Sequence, residues 1–245
     1  MNANPPDSSN PDPSTLVVFC RRPLLGHGKR RIAADLGQEI TLELAGHLLA
    51  TTLEDAGEWP GFVVLAPANA ADADWAGELL SCPSRVIPQP AGSLGKRINV
   101  VDKVARDSGH VHLIYIGSDA PILDADYFAR ARFALTSHDV VLGPANDGGV
   151  TLMGAKTAWP DLTSLPWSTA ELADALEQTC VEKGLTVCRL EKRYDIDLAM
   201  DLPTLYDDLS TDLRPARQQL RRWLNGLRLT ASGGVSIDVV RKGKN

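Results

Sequence analysis

The chain has only four cysteines, Cys20, Cys82, Cys180 and Cys188, and they form no C-x-x-C pair and no Cys/His cluster at zinc spacing. A disulfide scaffold and a structural zinc site are therefore excluded as organising features. Cys20 and Cys188 lie in apolar stretches and read as reduced core thiols. Long apolar runs are also missing. The longest uncharged stretch, Trp59 to Ala71, is interrupted by Pro60, Gly61, Pro67 and Asn69, well short of the ~18 apolar residues a membrane helix needs. The N-terminus, MNANPPDSSNPDPS, has neither a basic n-region nor an apolar h-region, so it does not read as a signal peptide. Together these features predict a cytoplasmic protein with reduced thiols and no membrane span.

Positive charge is in deficit. Lys+Arg is 25 against Asp+Glu 31, a net charge of −6, which argues against bulk nucleic-acid binding but leaves room for a small basic site facing a phosphorylated ligand. The five histidines form no H-E-x-x-H, and there is no G-x-S-x-G elbow, so covalent hydrolase chemistry has no support. His110 and His112 read as structural residues sharing one strand face.

What is present is an alternation of elements. Residues 1–14 lack large apolar side chains beyond Met1 and predict a disordered tail, with order beginning at Thr15. Strands are expected at 15–20, 61–67, 85–87, 110–117, 139–143, 150–155 and 185–190. Helices are expected at 38–56, 72–80, 95–107, 124–135, 168–183 and 212–226, and an edge strand in 233–245. This is an α/β layer fold with a mostly parallel sheet. The strands flanking Asp147–Gly149 leave no room for a crossover helix, so they should pair antiparallel and make the sheet mixed.

In such sheets ligands bind beyond the C-terminal ends of the strands. The first strand is followed by RRPLLGHGKRRI, where Arg21, Arg22, Lys29, Arg30 and Arg31 surround Pro23, Gly26 and Gly28. Glycines let backbone amides approach an anion and the cations bind phosphate, although the segment is not a Walker A loop. IGSDAPIL places Asp119 at a strand end, suited to holding Mg2+ or Mn2+, or equally to a turn or helix cap. Asp147 stands before two glycines, which also reads as a plain turn. Asp195 and Asp197, two apart, face the same side if extended. Asp201 reads as a first-turn helix acid. QPAGSLGKRI offers a glycine loop with Lys96 and Arg97, suited to lying over a base or sugar, or to serving as a linker into a helix.

Taken in order, these blocks resemble the bacterial glycosyltransferase A-like (GT-A fold) nucleotide-diphospho-sugar transferase family, which is related to the molybdopterin-cofactor and phospholactate guanylyltransferase type nucleotidyltransferases. The family's F-x-K-x-P-x-x-G-x-x-K-T-R-L is met by Phe19, Pro23, Gly26, Lys29, Arg30, Arg31 and Ile32. Its Q-G-x-G-x-L-G-x-R-M is met by Gln89, Gly92, Leu94, Gly95, Arg97 and Ile98. G-S-D-x-P appears as Gly117 to Pro121, L-G-P-x-x-D-G-G-Y-x-L-x-G as Leu142 to Gly154, and the D-x-D as Asp195 and Asp197. Arg30, Val150 and Pro90 stand where the family has Thr, Tyr and Gly. The match spans residues 15–209, leaving 210–245 as a C-terminal helix and tail extension.

The resemblance implies a Rossmann-like GT-A fold with helices on both faces of the sheet. It implies Mg2+ or Mn2+ held by Asp119, Asp197 and Asp195, and phosphates bound by Lys29 and Arg31. Arg21, Pro23, Gly26, Gly92, Leu94, Gly95, Arg97, Ser118, Gly148 and Gly149 would complete the nucleotide site. Asp119, Lys29 and Asp147 would be catalytic, with Asp147 on the acceptor side. The partners would be a nucleotide-sugar or a nucleoside triphosphate and a small-molecule acceptor. Glycosyl transfer is the first reading. Nucleotidyl transfer, which Arg21 and Arg22 would favour as a second phosphate site, and a non-catalytic nucleotide-binding protein are the alternatives.

Overall fold

The computed structural model describes residues 14–227. The N-terminal tail, apart from Ser14, and the expected edge strand in 233–245 lie outside the described residues. Seven strands are present: β1 (Ser14–Cys20), β2 (Phe62–Pro67), β3 (Ser84–Val86), β4 (His112–Ile116), β5 (Val140–Pro144), β6 (Val150–Ala155) and β7 (Val187–Arg189). They form one sheet in the order β3-β2-β1-β4-β6-β5-β7. β6 runs antiparallel to both its neighbours, and the other pairings are parallel.

The order follows from the side chains. In β1 all but Phe19 are buried, the mark of a strand covered on both faces. It sits at the centre, with Val17 opposite Val64 on one side and Tyr115 on the other. The helices are α1 (Arg30–Leu36), α2 (Gln38–Gly57), α3 (Ala73–Gly77), α4 (Leu94–Asp107), α5 (Ala125–Ser137), α6 (Leu172–Glu182), α7 (Asp201–Asp208) and α8 (Pro215–Gly226). Side chains of α2, α3 and α5 pack on one face of the sheet, and those of α4 and α6 on the other. A third apolar cluster joins α1, α2, α7 and α8. This is the mixed, mostly parallel α/β architecture with helices on both faces.

Several boundaries shift for local reasons. α1 is not among the expected helices; it is short, but burying Ile32 and Leu36 anchors it. α6 starts at Leu172 rather than 168 because Ser168 takes φ 66, outside helical space. β4 starts at His112, so His110 lies before the strand rather than sharing a face with it, and its Nδ1 is 2.9 Å from Thr15 Oγ1. Cys20 is buried and Cys188 half-buried. α8 begins with Pro215 in its first turn and packs against α2, with Arg217 completely buried. A basic helix normally reads as a solvated face; this one turns one of its three arginines inward.

Candidate active site

β1 has β2 on one side and β4 on the other, so the chain changes direction across the sheet at the C-terminal ends of β1 and β4. At such a switch point the following loops diverge and leave a crevice. Lys29 enters it from the end of the β1 loop. It is the N-cap of α1, held in the left-handed region at φ 37, a conformation that costs a non-glycine residue free energy. Its ammonium lies 3.4 Å from Asp119 Oδ2 and 3.5 Å from Asp197 Oδ1, and donates to Ile196 O at 2.5 Å.

Asp119 leaves β4 three residues after its end, and its carbonyl accepts from Ile196 N at 2.8 Å. That bond ties the 119 turn to the segment carrying Asp195 and Asp197. Asp201, in the first turn of α7, accepts from Asp197 N at 3.0 Å and Leu198 N at 2.7 Å; it is the group that orders this segment. Asp119, Asp195 and Asp197 each present a carboxylate oxygen, and the three oxygens lie within 4.8 Å of one another. Burial, followed by the charges of Asp119, Asp197 and Asp147, pushes the Asp195 carboxyl up to about 7. The donor set is all oxygen and anionic, which fits a hard divalent cation.

The raised Asp195 gives a stability prediction. A carboxyl whose pKa rises on folding contributes stability that is complete below its ordinary value of 3.8 and lost as pH climbs through about 7. In metal-free protein, Asp195→Asn should therefore gain melting temperature over the native chain between those two pH values. The gain should level off above about pH 7. Thermal melts in EDTA across pH 4 to 8.5 check this; a pH-independent difference would refute it.

A cleft of about 350 Å3 opens on these groups. Arg31, Asp119, Asp147, Asp195 and Asp197 form its polar end, and Phe19, Leu94, Tyr115 and Trp167 lie among its apolar lining. A second depression of about 270 Å3 shares Arg31, Asp147, Asp195 and Asp197 with it and adds Asn146, Tyr194 and Thr204. A larger depression of about 430 Å3 contains none of the three carboxylates. Asp147 does make the expected turn, its Oδ1 accepting from Gly149 N at 2.9 Å, and it faces the cleft as well.

Other residues singled out from the sequence are placed differently. Arg21 is exposed, and Arg22 is 3.9 Å from Asp72 and lies over the Trp75 ring; neither lines the cleft. Gly26 and Gly28 both have φ 77 and line a separate depression beside α1, with Pro23 in the same loop outside the cleft. Lys29 and Arg31 alone carry that block to the carboxylates. Arg97 folds back on its own loop, donating to Gly92 O at 2.9 Å, so it closes the turn instead of reaching over a ligand. A Cβ on buried Gly95 would stand 2.0 Å from Leu162 O, and one on half-buried Gly148 would stand 2.0 Å from Ala170 O. These two glycines are required by close backbone packing. Gly149 lines the cleft, and Ser118 is half-buried beside Asp119.

Trp167 and Ser168 also line the cleft and had not been singled out. Trp167 Nε1 donates to Leu162 O at 2.8 Å, and Ser168 is, with Lys29, one of two non-glycine residues at positive φ among those described. The tripeptide Pro166–Ser168 carries no spacing that would have marked it.

Comparison with known proteins gives the fold independent support. A family model described as an uncharacterised protein conserved in bacteria (DUF2064) matches residues 49–169. A search of curated proteins finds no match. A crystal structure from Desulfovibrio desulfuricans G20, provisionally described as a nucleotide-diphospho-sugar transferase, superposes with a TM-score of 0.76 at 22% identity, covering 87% of this chain and 97% of that one. The inositol-1-phosphate CTP transferase from T. maritima superposes with a TM-score of 0.54 at 11% identity, covering 86% and 97%. The GT-A-like fold that the five sequence blocks pointed to, a mixed and mostly parallel α/β sheet, is the fold the chain has and shares with these structures.

Proposed function

We propose that the chain is a metal-dependent transferase that takes a nucleotide-diphospho-sugar as donor and glycosylates a small-molecule acceptor. The observation that carries this reading is the convergence of Asp119, Asp195, Asp197 and Arg31 on one cleft at the switch point of the sheet, with the Lys29 ammonium paired to Asp119 and Asp197 behind it. Asp119, Asp195 and Asp197 would hold Mg2+ or Mn2+, which stabilises the charge developing on the diphosphate leaving group. Lys29 pairs with Asp119 and Asp197; with a divalent cation held by those carboxylates, its ammonium would be free to bind phosphate, and Arg31 would add a second cation. Asp147 is placed to take the proton from an acceptor hydroxyl. Nucleotidyl transfer would use a second phosphate site from Arg21 and Arg22; Arg21 is exposed, Arg22 is 3.9 Å from Asp72, and neither lines the cleft, which favours glycosyl transfer. The three carboxylates in the cleft, with Lys29 paired to two of them, weigh against a non-catalytic nucleotide binder.

No described helix is long and apolar enough to cross a membrane, and the four cysteines are unpaired.

Without a cation, phosphates would face three carboxylates and be repelled. EDTA should weaken nucleotide-diphosphate binding at least about tenfold, ~1.4 kcal/mol. Calorimetric titration of UDP-, GDP-, CDP- and dTDP-sugars, with and without Mn2+, tests both points. Unchanged affinity in EDTA would refute the metal, and preference for a nucleoside triphosphate over every diphospho-sugar would refute the donor.

A further inference from the structure

The inner face of α8 carries two arginines that do work at a distance from their own helix. Arg217 is 0% exposed. Its Nε donates to Pro121 O at 3.0 Å. Its Nη1 donates to Thr51 O at 2.7 Å and Glu54 Oε2 at 3.0 Å, and its Nη2 to Asp55 Oδ2 at 2.7 Å and Leu123 O at 3.1 Å. A guanidinium has five N–H donors, and each has an acceptor here. Arg214 adds a second bond to Leu123 O at 3.1 Å and pairs with Asp55 at 2.7 Å.

Stability alone does not call for this arrangement, since apolar residues of similar volume often replace a buried ion cluster without loss. What the arginines hold is specific. Pro121 and Leu123 belong to the irregular turn between β4 and α5, where backbone carbonyls have no ladder to satisfy them. Asp119 lies two residues before Pro121. On its other side the turn is bonded through Asp119 O to Ile196 N. The turn is therefore gripped between the segment bearing Asp195 and Asp197 and the C-terminal helix.

We propose that Arg217, assisted by Arg214, is a positioning residue that sets Asp119 relative to Asp195 and Asp197, so that α8 belongs to the machinery of the site. The proposal rests on the metal reading above. Cation sites tolerate little misplacement of a ligand, and loss of a residue that orients one typically lowers metal affinity by about 10–100-fold.

The test uses the full chain and Mn2+ alone, titrated calorimetrically well below the melting temperature. Arg217→Lys keeps the charge but cannot reproduce the planar five-donor fork. It should weaken Mn2+ binding at least about tenfold while far-ultraviolet dichroism stays native. Val140→Ala, at the far end of β5 from the cleft, serves as a control that lowers stability through lost packing; its Mn2+ affinity should stay native. Arg214→Gln, on a partly exposed residue, should weaken Mn2+ binding in the same direction and decides the matter if Arg217→Lys does not fold. Native Mn2+ affinity in the folded arginine variants would overturn the proposal and leave the metal site standing. A native chain that binds no Mn2+ would overturn both.

Discussion

Asp119→Asn should leave the fold intact and reduce metal-dependent turnover by about a thousandfold or more. The substitution is nearly isosteric but removes one of the three carboxylates proposed to hold the cation. Charge stabilisation by a bound metal amounts to several kcal/mol, and each 1.36 kcal/mol is about a factor of ten in rate. Folding should suffer little. The Asp119 side chain is 37% exposed, and its pair with Lys29 at 3.4 Å competes with the one Lys29 makes to Asp197. Asp119 is also the first of the charges that hold the Asp195 proton. Its removal should lower the Asp195 pKa, visible by carboxyl-carbon NMR titration of metal-free protein. Full activity with an unaltered metal requirement would reduce Asp119 to a turn residue.

Gly148→Ala should be among the most damaging single-methyl additions to this chain. Gly148 has φ 90, and a Cβ there would stand 2.0 Å from Ala170 O, a backbone atom that cannot swing aside. Its own carbonyl accepts from Ala173 N at 2.9 Å, stitching the β5–β6 turn to the start of α6. Left-handed strain and the clash together should cost at least about 3 kcal/mol. For a chain of this size that lowers the melting temperature by roughly 6–12 °C. Gly46→Ala is the contrasting case: inside α2, with nothing within 4 Å of the added methyl, it should stabilise by ~0.5–1 kcal/mol. Calorimetric melts of the two variants should move in opposite directions. Equal and small shifts would show that the 145–149 turn is looser than it is drawn.

The layer architecture was legible because its signals are local. β-branched runs marked the central strands, and five residues between β5 and β6 left no space for a crossover. The convergence of Lys29, Arg31, Asp119, Asp195 and Asp197 was legible from two sources, the rule that strand ends carry ligands and the family resemblance. What a sequence does not display is which of two adjacent backbones a glycine serves. Gly95 and Gly148 read like ligand-approach glycines, yet the close neighbour is the chain itself. Nor does it show the direction of a loop, so Gly26 and Gly28 were grouped with a cleft they turn away from. Arg217 escaped notice because the acids that pair with it, Glu54 and Asp55, are more than 160 residues away.

The place of β6 bears on how the chain is made. β5 is synthesised before β6 but sits beyond it in the sheet, and β6 alone joins β5 to β4. Non-local pairings of this kind form slowly, because loop-closure entropy must be met before the contacts reward it. As the nascent chain emerges, β3, β2, β1 and β4 can assemble by residue 116, yet the outer edge of β4 has no partner until Val150–Ala155 appears. An unpaired strand edge is a template for pairing with another chain. On a ribosome adding about 5–20 residues per second, that edge stays open for a matter of seconds, the interval in which chaperone occupancy would matter most for this protein.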